Sequence, residues 1–506
     1  MFRLAHLHRP LSGLVLPPVP LNRTVRRAGL GLILAALAAA LAVLPLPAAF
    51  LLVAGGAFVG LVLVRPVLSL YALVPLIPFS PWFSVSLAGI RVGGMELTLA
   101  LGLAAWLARR AAGIPDAVSQ SRRGPGPLFL PFLVFLAGVS LSWLNMLSAG
   151  AALVETAKWL EMLALYLLVY TSLPTRQVRW LLLTLLLTGL AQAGLGLYQF
   201  IFKVGPEGFL LFGGRFLRAY GTFAQPNPYA GYLGLVLPLS LALTLWSFFD
   251  LLRAGPVVRP RRLLLTAALA GVSGILLAAL LASQSRSGLL GFLAASAAVF
   301  LLYNRTTAGL VAAAAGAGAL LLLAGSFEAG LPQLDASYRA VVARLVDAAS
   351  IFTITDVATI EVTDANFAVV ERLAHWQAAR EMWRDHLWLG VGFGNYAAVY
   401  PAYAIGRWLD PLGHAHNYLL NIGAEAGLVG ISTYLIFWIL VFGVLWQAVR
   451  RARGLSRAVV VGAAGVFVHL HVQNFFDNLY VQGMYLHIAI LLALVAIVYK
   501  EPRFEE

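Results

Sequence analysis

The chain has 506 residues, of which 61% are hydrophobic and 11% charged, with a mean hydropathy of +0.86. Apolar runs of roughly 17–25 residues recur along it, each long enough to cross a hydrocarbon core about 30 Å thick. An outer-membrane barrel would instead alternate apolar and polar positions in segments of about ten residues, a pattern this sequence lacks. Without cysteine, the chain has no disulfide or thiolate chemistry. We therefore predict an all-α, polytopic transmembrane helix bundle.

The formal net charge of +14 is the one feature that would favour a nucleic-acid partner. Its arginines, however, fall in short clusters between the apolar runs. Positive-inside topology and anionic lipid headgroups explain that distribution better. We expect membrane lipids as partners and no nucleic acid.

The apolar runs predict about twelve to fourteen membrane spans, of which those at 67–83 and 95–108 are short or broken by proline and could be re-entrant or interfacial. The first run resembles the apolar core of a signal peptide, but the next run follows at once, which favours an uncleaved span. The predicted spans lie at residues 30–44, 48–64, 67–83, 95–108, 128–147, 152–171, 180–200, 229–249, 263–282, 288–303, 308–324, 418–446, 458–475 and 481–499.

Orientation follows from the short arginine-containing loops, which all fall on the side of the N-terminal tail and mark that side as cytoplasmic. The predicted organisation is a cytoplasmic tail, a first bundle segment, a large external loop with short helices, a second bundle segment and a cytoplasmic tail. Their boundaries are 1–27, 28–324, 325–417, 418–499 and 500–506.

Three external segments carry candidate site residues. Residues 203–228 combine glycines and turn-forming residues with Arg215 and Arg218, and Arg286 lies at a predicted span end in the second segment. The large loop, which contains Arg372, is the third. Arginine at such positions either binds an anion or anchors the chain at the membrane interface, and the residues alone leave both interpretations open.

Within the large loop we predict an amphipathic helix at 338–346, a helix at 371–384, and either a short strand or an irregular lid at 353–363. The carboxylates Asp356, Glu361 and Asp364 match no metal-ligand spacing, so a solvated loop is favoured over a metal site.

The glycines at 390, 392 and 394 resemble a dinucleotide fingerprint. No βαβ unit precedes them, however, and a tight turn is the better interpretation.

The segment His414-Ala415-His416-Asn417 is the most informative. Two histidines two positions apart could bind zinc, although no third ligand with suitable spacing is evident. A neutral imidazole at a water–membrane boundary could instead accept the proton of an attacking hydroxyl. A purely structural role is the third interpretation.

On these residues the sequence resembles the bacterial O-antigen ligase and polymerase superfamily. His416-Asn417, then nine residues, Gly427, two residues and Gly430 fit the spacing of the ligase signature. The segments 218–223, 285–288 and 390–395, and Arg372 with Trp376, occur in the order expected for that family. The resemblance covers about residues 181–499, and the earlier part of the chain is recognisable only as membrane helices.

The resemblance implies an inverting glycosyltransferase that moves a glycan from a polyprenyl (undecaprenyl) pyrophosphate carrier to a glycan or lipid acceptor, without metal or other cofactor. It implies His416 as general base, with His414 orienting the acceptor and Asn417 fixing the loop. Arg218 and Arg286 would hold the pyrophosphate, with Arg215 and Arg372 behind them. Gly427 and Gly430 would form a turn beside the site. The expected location is the bacterial inner membrane, with the site facing the periplasm.

Because the spacing fits the ligase form of the signature, an O-antigen ligase is favoured. A repeat-unit polymerase or a protein O-oligosaccharyltransferase of the same superfamily remains an alternative. A transporter or flippase for lipid-linked sugars is the alternative from another class. Against it, the membrane halves show no internal repeat, and the polar residues cluster on one face instead of at mid-membrane.

Overall fold

In a computed structural model of the protein, the described residues are 42–82, 84–87, 90–114, 124–211, 213–326, 356–363 and 366–504, with the single residues 39, 118 and 122. The predicted N-terminal tail, most of the first apolar run, the predicted helix at 338–346 and Asp364 lie outside them. The chain divides into two compact units, Met1–Leu61 and Val62–Glu506, and the functional site described below lies wholly in the second.

Helices dominate the described residues. Ten of them precede the large loop: α1 (Leu46–Val64), α2 (Ser69–Phe79), α3 (Gly94–Ala111), α4 (Phe129–Leu141), α5 (Ala149–Ser172), α6 (Val178–Phe202), α7 (Pro226–Leu252), α8 (Arg259–Ala282), α9 (Arg286–Tyr303) and α10 (Arg305–Ser326). Short 3-10 turns at Pro66–Leu68, Ser80–Trp82, Ser142–Asn145 and Thr175–Gln177 extend α2, α4 and α6.

The large loop and the second bundle segment supply the remaining helices. They are α11 (Phe367–Asp385), α12 (Tyr396–Val399), α13 (Tyr418–Arg451), α14 (Gly454–Asn474) and α15 (Met484–Lys500). Strands are limited to two small antiparallel hairpins among the described residues. The first pairs β1 (Ser84–Leu87) with β2 (Ile90–Gly93), and the second pairs β3 (Leu210–Leu211) with β4 (Phe216–Leu217).

This architecture confirms the prediction of an all-α, polytopic membrane protein. A helix occupies every predicted span from 48–64 onward, and among the described residues seven helices are long and apolar enough to cross a membrane. The predicted helix at 371–384 is confirmed as α11. In the described part of 353–363 the chain forms a single 3-10 turn, Val357–Thr359, where Asp356 caps the amide of Ala358, and no strand.

The centre of the bundle is α15, whose residues from Met484 to Val498 are all buried. An apolar helix of this kind is stable only when neighbours surround it on all sides. It packs against α5, α13 and α14, and α14 in turn packs against α7 and α9. α11, in the large loop, lies against α13.

Helix α13 is broken at Gly427, where the backbone takes φ 61° and ψ −158°. The break frees carbonyls before it and amides after it, and the large loop satisfies both. Ala424 and Glu425 accept hydrogen bonds from the amides of Val391 and Gly392, while Leu428 and Val429 donate to Leu387 and Trp388. The sequence predicted a turn at 427–430, and in the structure the chain breaks at Gly427 between two helical segments of α13.

We expect Gly427→Ala to destabilise the protein strongly. Backbone in this region is almost restricted to glycine and costs other residues about 1–3 kcal/mol. In addition, a Cβ at Gly427 would lie 2.3 Å from the carbonyl carbon of Trp388. The measurement is the melting temperature in nanodiscs, with Gly443→Ala as the matched control, because Gly443 is in the same helix and a Cβ there meets no atom within 4 Å. Equal melting temperatures for the two variants would contradict the kink.

A candidate active site at one end of the bundle

A cavity of about 600 Å³ lies where the 203–228 loop, α5, α11, the start of α13 and the turn between α14 and α15 meet. Its lining includes Arg218, Arg372, His414, His416 and Asp477. The 203–228 loop is also joined to the end of α8, because Ala219 N–H donates to the carbonyl of Ala282. The segments that the sequence assigned to one side of the membrane therefore do lie together.

His416 has an unusual backbone, with φ 52° in the left-handed region that favours glycine. Such backbone costs about 1–3 kcal/mol and persists where neighbours determine it, commonly at functional sites. Here the His416 amide donates to Nδ1 of His414 at 3.1 Å, and its carbonyl accepts from Trp376 Nε1 at 3.1 Å. The next residue, Asn417, begins α13 by accepting the Leu420 amide at 3.1 Å. Asn417 is therefore the N-cap of α13 and lies outside the cavity lining.

Asp477 faces both histidines. Its Oδ1 is 3.8 Å from Nε2 of His414 and 3.8 Å from Nδ1 of His416. Because Nδ1 of His414 accepts a hydrogen bond, the proton of that ring is on Nε2, directed at the carboxylate. The corresponding tautomer of His416, with its proton on Nδ1, leaves Nε2 as a free base. Neither ring nitrogen of His416 has a hydrogen-bond partner among the described residues.

Burial and the neighbouring charges determine the protonation of His414 and Asp477. Burial, followed by the charge of His416, lowers the pKa of His414 to about 4, although Asp477 opposes both effects. Burial alone would raise the pKa of the Asp477 carboxyl, but His416, His414 and the Asn478 amide hold it below its usual range. At neutral pH, His414 is therefore neutral and Asp477 ionised.

A third imidazole completes the cluster. The ring of His375 on α11 lies 5.6 Å from that of His416, stacks on Tyr400 at 4.8 Å, and its Nδ1 is 3.0 Å from the hydroxyl oxygen of Tyr396. Burial, followed by the charges of His416 and His414, lowers the pKa of His375 to about 4.

We expect the folded protein to lose stability as the pH falls from about 6.5 to about 4. The unfolded chain binds protons at His375 and His414 below their usual pKa, whereas the folded protein takes them up only near pH 4. The melting temperature in nanodiscs should fall across this window, and less steeply in His375→Gln than in the wild type. An identical pH dependence in both proteins would show that His375 is not held neutral by the fold.

Arginines form the second feature of the site. Arg218 donates through Nε to the carbonyl of Ser283 at 3.0 Å and through Nη2 to Oδ1 of Asn227 at 3.1 Å. Burial, and then the charges of Arg372 and Arg286, lower its pKa from the ordinary value. Arg218 is thus within electrostatic range of the other two guanidinium groups, and no described carboxylate pairs with any of the three. Arg218 and Arg372 are half-buried, whereas Arg286 is exposed. Guanidinium groups without a carboxylate partner are suited to an anion.

The four predicted arginines differ in position. Arg218 and Arg372 line the cavity, and the buried Nε of Arg372 has no hydrogen-bond partner among the described residues. Arg286 begins α9, is exposed and is outside the lining. Arg215 is exposed over the ring of Phe216 at 5.5 Å and is also outside the lining.

The predicted tight turn at the 390–395 glycines is confirmed. Gly390, Gly392 and Gly394 all have positive φ, and the turn docks on the break in α13. Gly430 follows the break, and a Cβ there would lie 2.2 Å from Cβ of Ala426. Both glycines of the signature are therefore required by the close packing beside the site.

A divalent metal could in principle use His414, His416 and Asp477, because one ligand atom of each lies within 4.8 Å of the others. Asp477 supplies the third ligand that the sequence did not reveal. However, coordination through Nε2 of His414 would move its proton to Nδ1, where it would meet the His416 amide. The hydrogen bond from the His416 amide to His414 therefore favours an Nε2–H of His414 facing Asp477 over a metal bound at that nitrogen.

Sequence reasoning missed several residues of the cavity, among them Asp477, Glu155 and Lys158. Asp477 is 61 positions from His416 and belongs to no motif, but its loop lies between two predicted spans on the same side as the histidines. Glu155 and Lys158 were visible, together with Glu161, as charged residues inside the largely apolar run 152–171. Ionisable residues in such runs commonly have a function.

The fold and the cavity define a multi-pass membrane protein with an arginine- and histidine-lined site. Residues 271–435 match the family model described as O-antigen ligase. This match confirms the resemblance to the O-antigen ligase and polymerase superfamily and supports an enzymatic role. It includes Arg286, Arg372, His414 and His416, whereas Arg218 and Asp477 are brought to that segment by folding. No curated protein matches the chain.

Proposed function

We propose that the protein is a metal-independent, inverting glycosyltransferase of the O-antigen ligase type. It transfers a glycan from a polyprenyl pyrophosphate carrier to an acceptor hydroxyl at the outer face of the bacterial inner membrane. The observation that carries the proposal is the presence of His416, with an unpaired ring, in the same cavity as Arg218 and Arg372.

The arginines of the cavity are suited to binding the pyrophosphate of the donor. When the bond between the anomeric carbon and the pyrophosphate breaks, negative charge grows on the leaving oxygen while the sugar becomes oxocarbenium-like. Arg218 and Arg372 remain charged and donate charge-assisted hydrogen bonds to such an anion. Arg286 adds positive charge at the N-terminus of α9, close enough to act on Arg218. These cations provide the charge stabilisation that many sugar transferases obtain from a divalent metal.

The histidines are suited to removing the proton of the acceptor hydroxyl. Nε2 of His416 removes the proton as the acceptor oxygen attacks the anomeric carbon from the face opposite the pyrophosphate, so the configuration inverts. Asp477 directs Nδ1–H of His416 and stabilises the imidazolium that forms. The 3.8 Å separation of Nδ1 and Oδ1 is longer than a hydrogen bond, and catalytic contacts of this kind commonly tighten when substrate binds.

The experiment uses purified protein in nanodiscs with a polyprenyl-pyrophosphate oligosaccharide and EDTA, and follows carrier release together with product length. One-step transfer of the whole glycan with release of the carrier is the expected result. A ladder of lengthening products would identify a repeat-unit polymerase. Transfer of the glycan to a peptide would identify a protein O-oligosaccharyltransferase. Movement of the intact donor across the bilayer without carrier release would instead identify a transporter.

A further inference from the structure

The cavity has a second group of ionisable residues that the proposed mechanism does not use. Glu155 and Lys158 lie three positions apart on α5, with Lys158 Nζ 2.5 Å from Glu155 Oε2, and both line the cavity. Both side chains are largely buried, with 18% and 23% of their surface exposed. Glu425 and Asn421 on α13 line the cavity beside them.

Placing this charged pair in a membrane-spanning run costs free energy. Glu155 and Lys158 interrupt an apolar run long enough to span a membrane, where ionisable side chains are rare and usually face a cavity that they serve. Lys158 bonds only to Glu155 among the described residues. Glu161, further along the same helix, accepts from the hydroxyl of Tyr485 at 2.6 Å and does not line the cavity. Packing therefore accounts for Glu161, but not for the pair in the cavity.

The charged residues of the cavity come from different elements. Arg218 is in the 203–228 loop and Arg372 on α11, whereas Glu155 and Lys158 are on α5 and Glu425 on α13. His414 interacts electrostatically with both Arg372 and Lys158. A substrate bound at α5 would therefore share the cavity with His416.

We propose that Glu155 and Lys158 form the acceptor subsite, and that they bind an uncharged sugar through its hydroxyl groups. This inference rests on the proposed function. The Glu155 carboxylate can accept, and the Lys158 ammonium can donate, hydrogen bonds with neighbouring sugar hydroxyls. The charges of the pair cancel, and Glu425 adds a further carboxyl. A phosphorylated sugar would therefore gain little electrostatic attraction here. The acceptor sugar lies on the α5 side and the pyrophosphate on the arginine side, with His416 between them.

Transfer kinetics test the subsite with a polyprenyl-pyrophosphate disaccharide as donor and a neutral N-acetylglucosamine oligomer as acceptor. We expect Lys158→Met and Glu155→Gln to raise the acceptor KM about tenfold or more, as for loss of a hydrogen bond to a charged group, and to leave the donor KM unchanged. The matched controls Lys203→Met and Glu161→Gln, both outside the cavity, should change neither value. A raised donor KM, or no change in the acceptor KM, would overturn the assignment.

A binding measurement separates failure of the subsite from failure of the proposed function. Saturation-transfer NMR on the protein in nanodiscs detects the same oligomer and its phosphorylated form without any reaction. The subsite predicts that the neutral oligomer binds better, with affinity about tenfold lower in Lys158→Met. If the phosphorylated form binds better, or Lys158→Met binds like the wild type, the subsite is wrong even if transfer occurs. If the wild type binds as predicted but transfers nothing, the subsite is retained and the proposed reaction is wrong.

Discussion

His416→Ala is expected to lower the rate of glycan transfer by about 10²–10⁴-fold, the usual contribution of a positioned general base. The histidine is the described imidazole that lines the cavity with both ring nitrogens unpaired. Because it acts on the acceptor hydroxyl, its removal should leave binding of the donor carrier almost unchanged. Transfer is measured in nanodiscs with a polyprenyl-pyrophosphate oligosaccharide, and donor binding with the same lipid in the absence of acceptor.

His386→Ala is the matched control for this prediction. His386 lies at the end of α11, is exposed and is outside the cavity lining. The His386→Ala protein should transfer the glycan at the wild-type rate. A His416→Ala protein as active as this control would remove the base from the mechanism and make the transporter alternative the leading one.

Arg218→Met is expected to reduce transfer by about 10²–10³-fold, the range measured for loss of one preorganised donor to a developing anion. The donor KM should also rise, since this guanidinium is proposed to contact the pyrophosphate before and during the reaction. Arg218→Lys should recover only part of the rate, because an ammonium cannot reproduce two directed hydrogen bonds. Initial rates at several donor concentrations give both quantities.

Arg215→Met provides the comparison from the same hairpin. Arg215 is exposed and does not line the cavity, so its loss should change the rate by less than about tenfold. Equal losses for Arg215→Met and Arg218→Met would mean that the loop acts through its general positive charge, and would contradict a specific pyrophosphate contact.

The helices were predictable because membrane spans have a strong local signal. Each apolar run from residue 48 onward corresponds to a helix, since a span must satisfy its own backbone hydrogen bonds within the segment. The hairpin that precedes α3 carries no such signal. Its strands are four residues each and pair only with one another.

The candidate site residues could be selected from the sequence where they belong to a motif. His416, Arg218 and Arg372 line one cavity, and their roles stay predictions. Asp477 was not predicted, because only tertiary packing brings the α14–α15 turn to the histidines. His375 was visible in a helical pattern, but its proximity to His416 depends on how α11 docks against α13. The break at Gly427 depends on hydrogen bonds from a loop more than 30 residues earlier in the chain.

A structure of the protein with a bound polyprenyl-pyrophosphate oligosaccharide, determined by electron cryo-microscopy of the His416→Ala variant in nanodiscs, would test the central claim most directly. The account predicts phosphate oxygens within hydrogen-bond distance of Arg218 and Arg372, and the anomeric carbon facing position 416. Pyrophosphate bound away from these arginines, or an anomeric carbon separated from position 416 by protein, would contradict it.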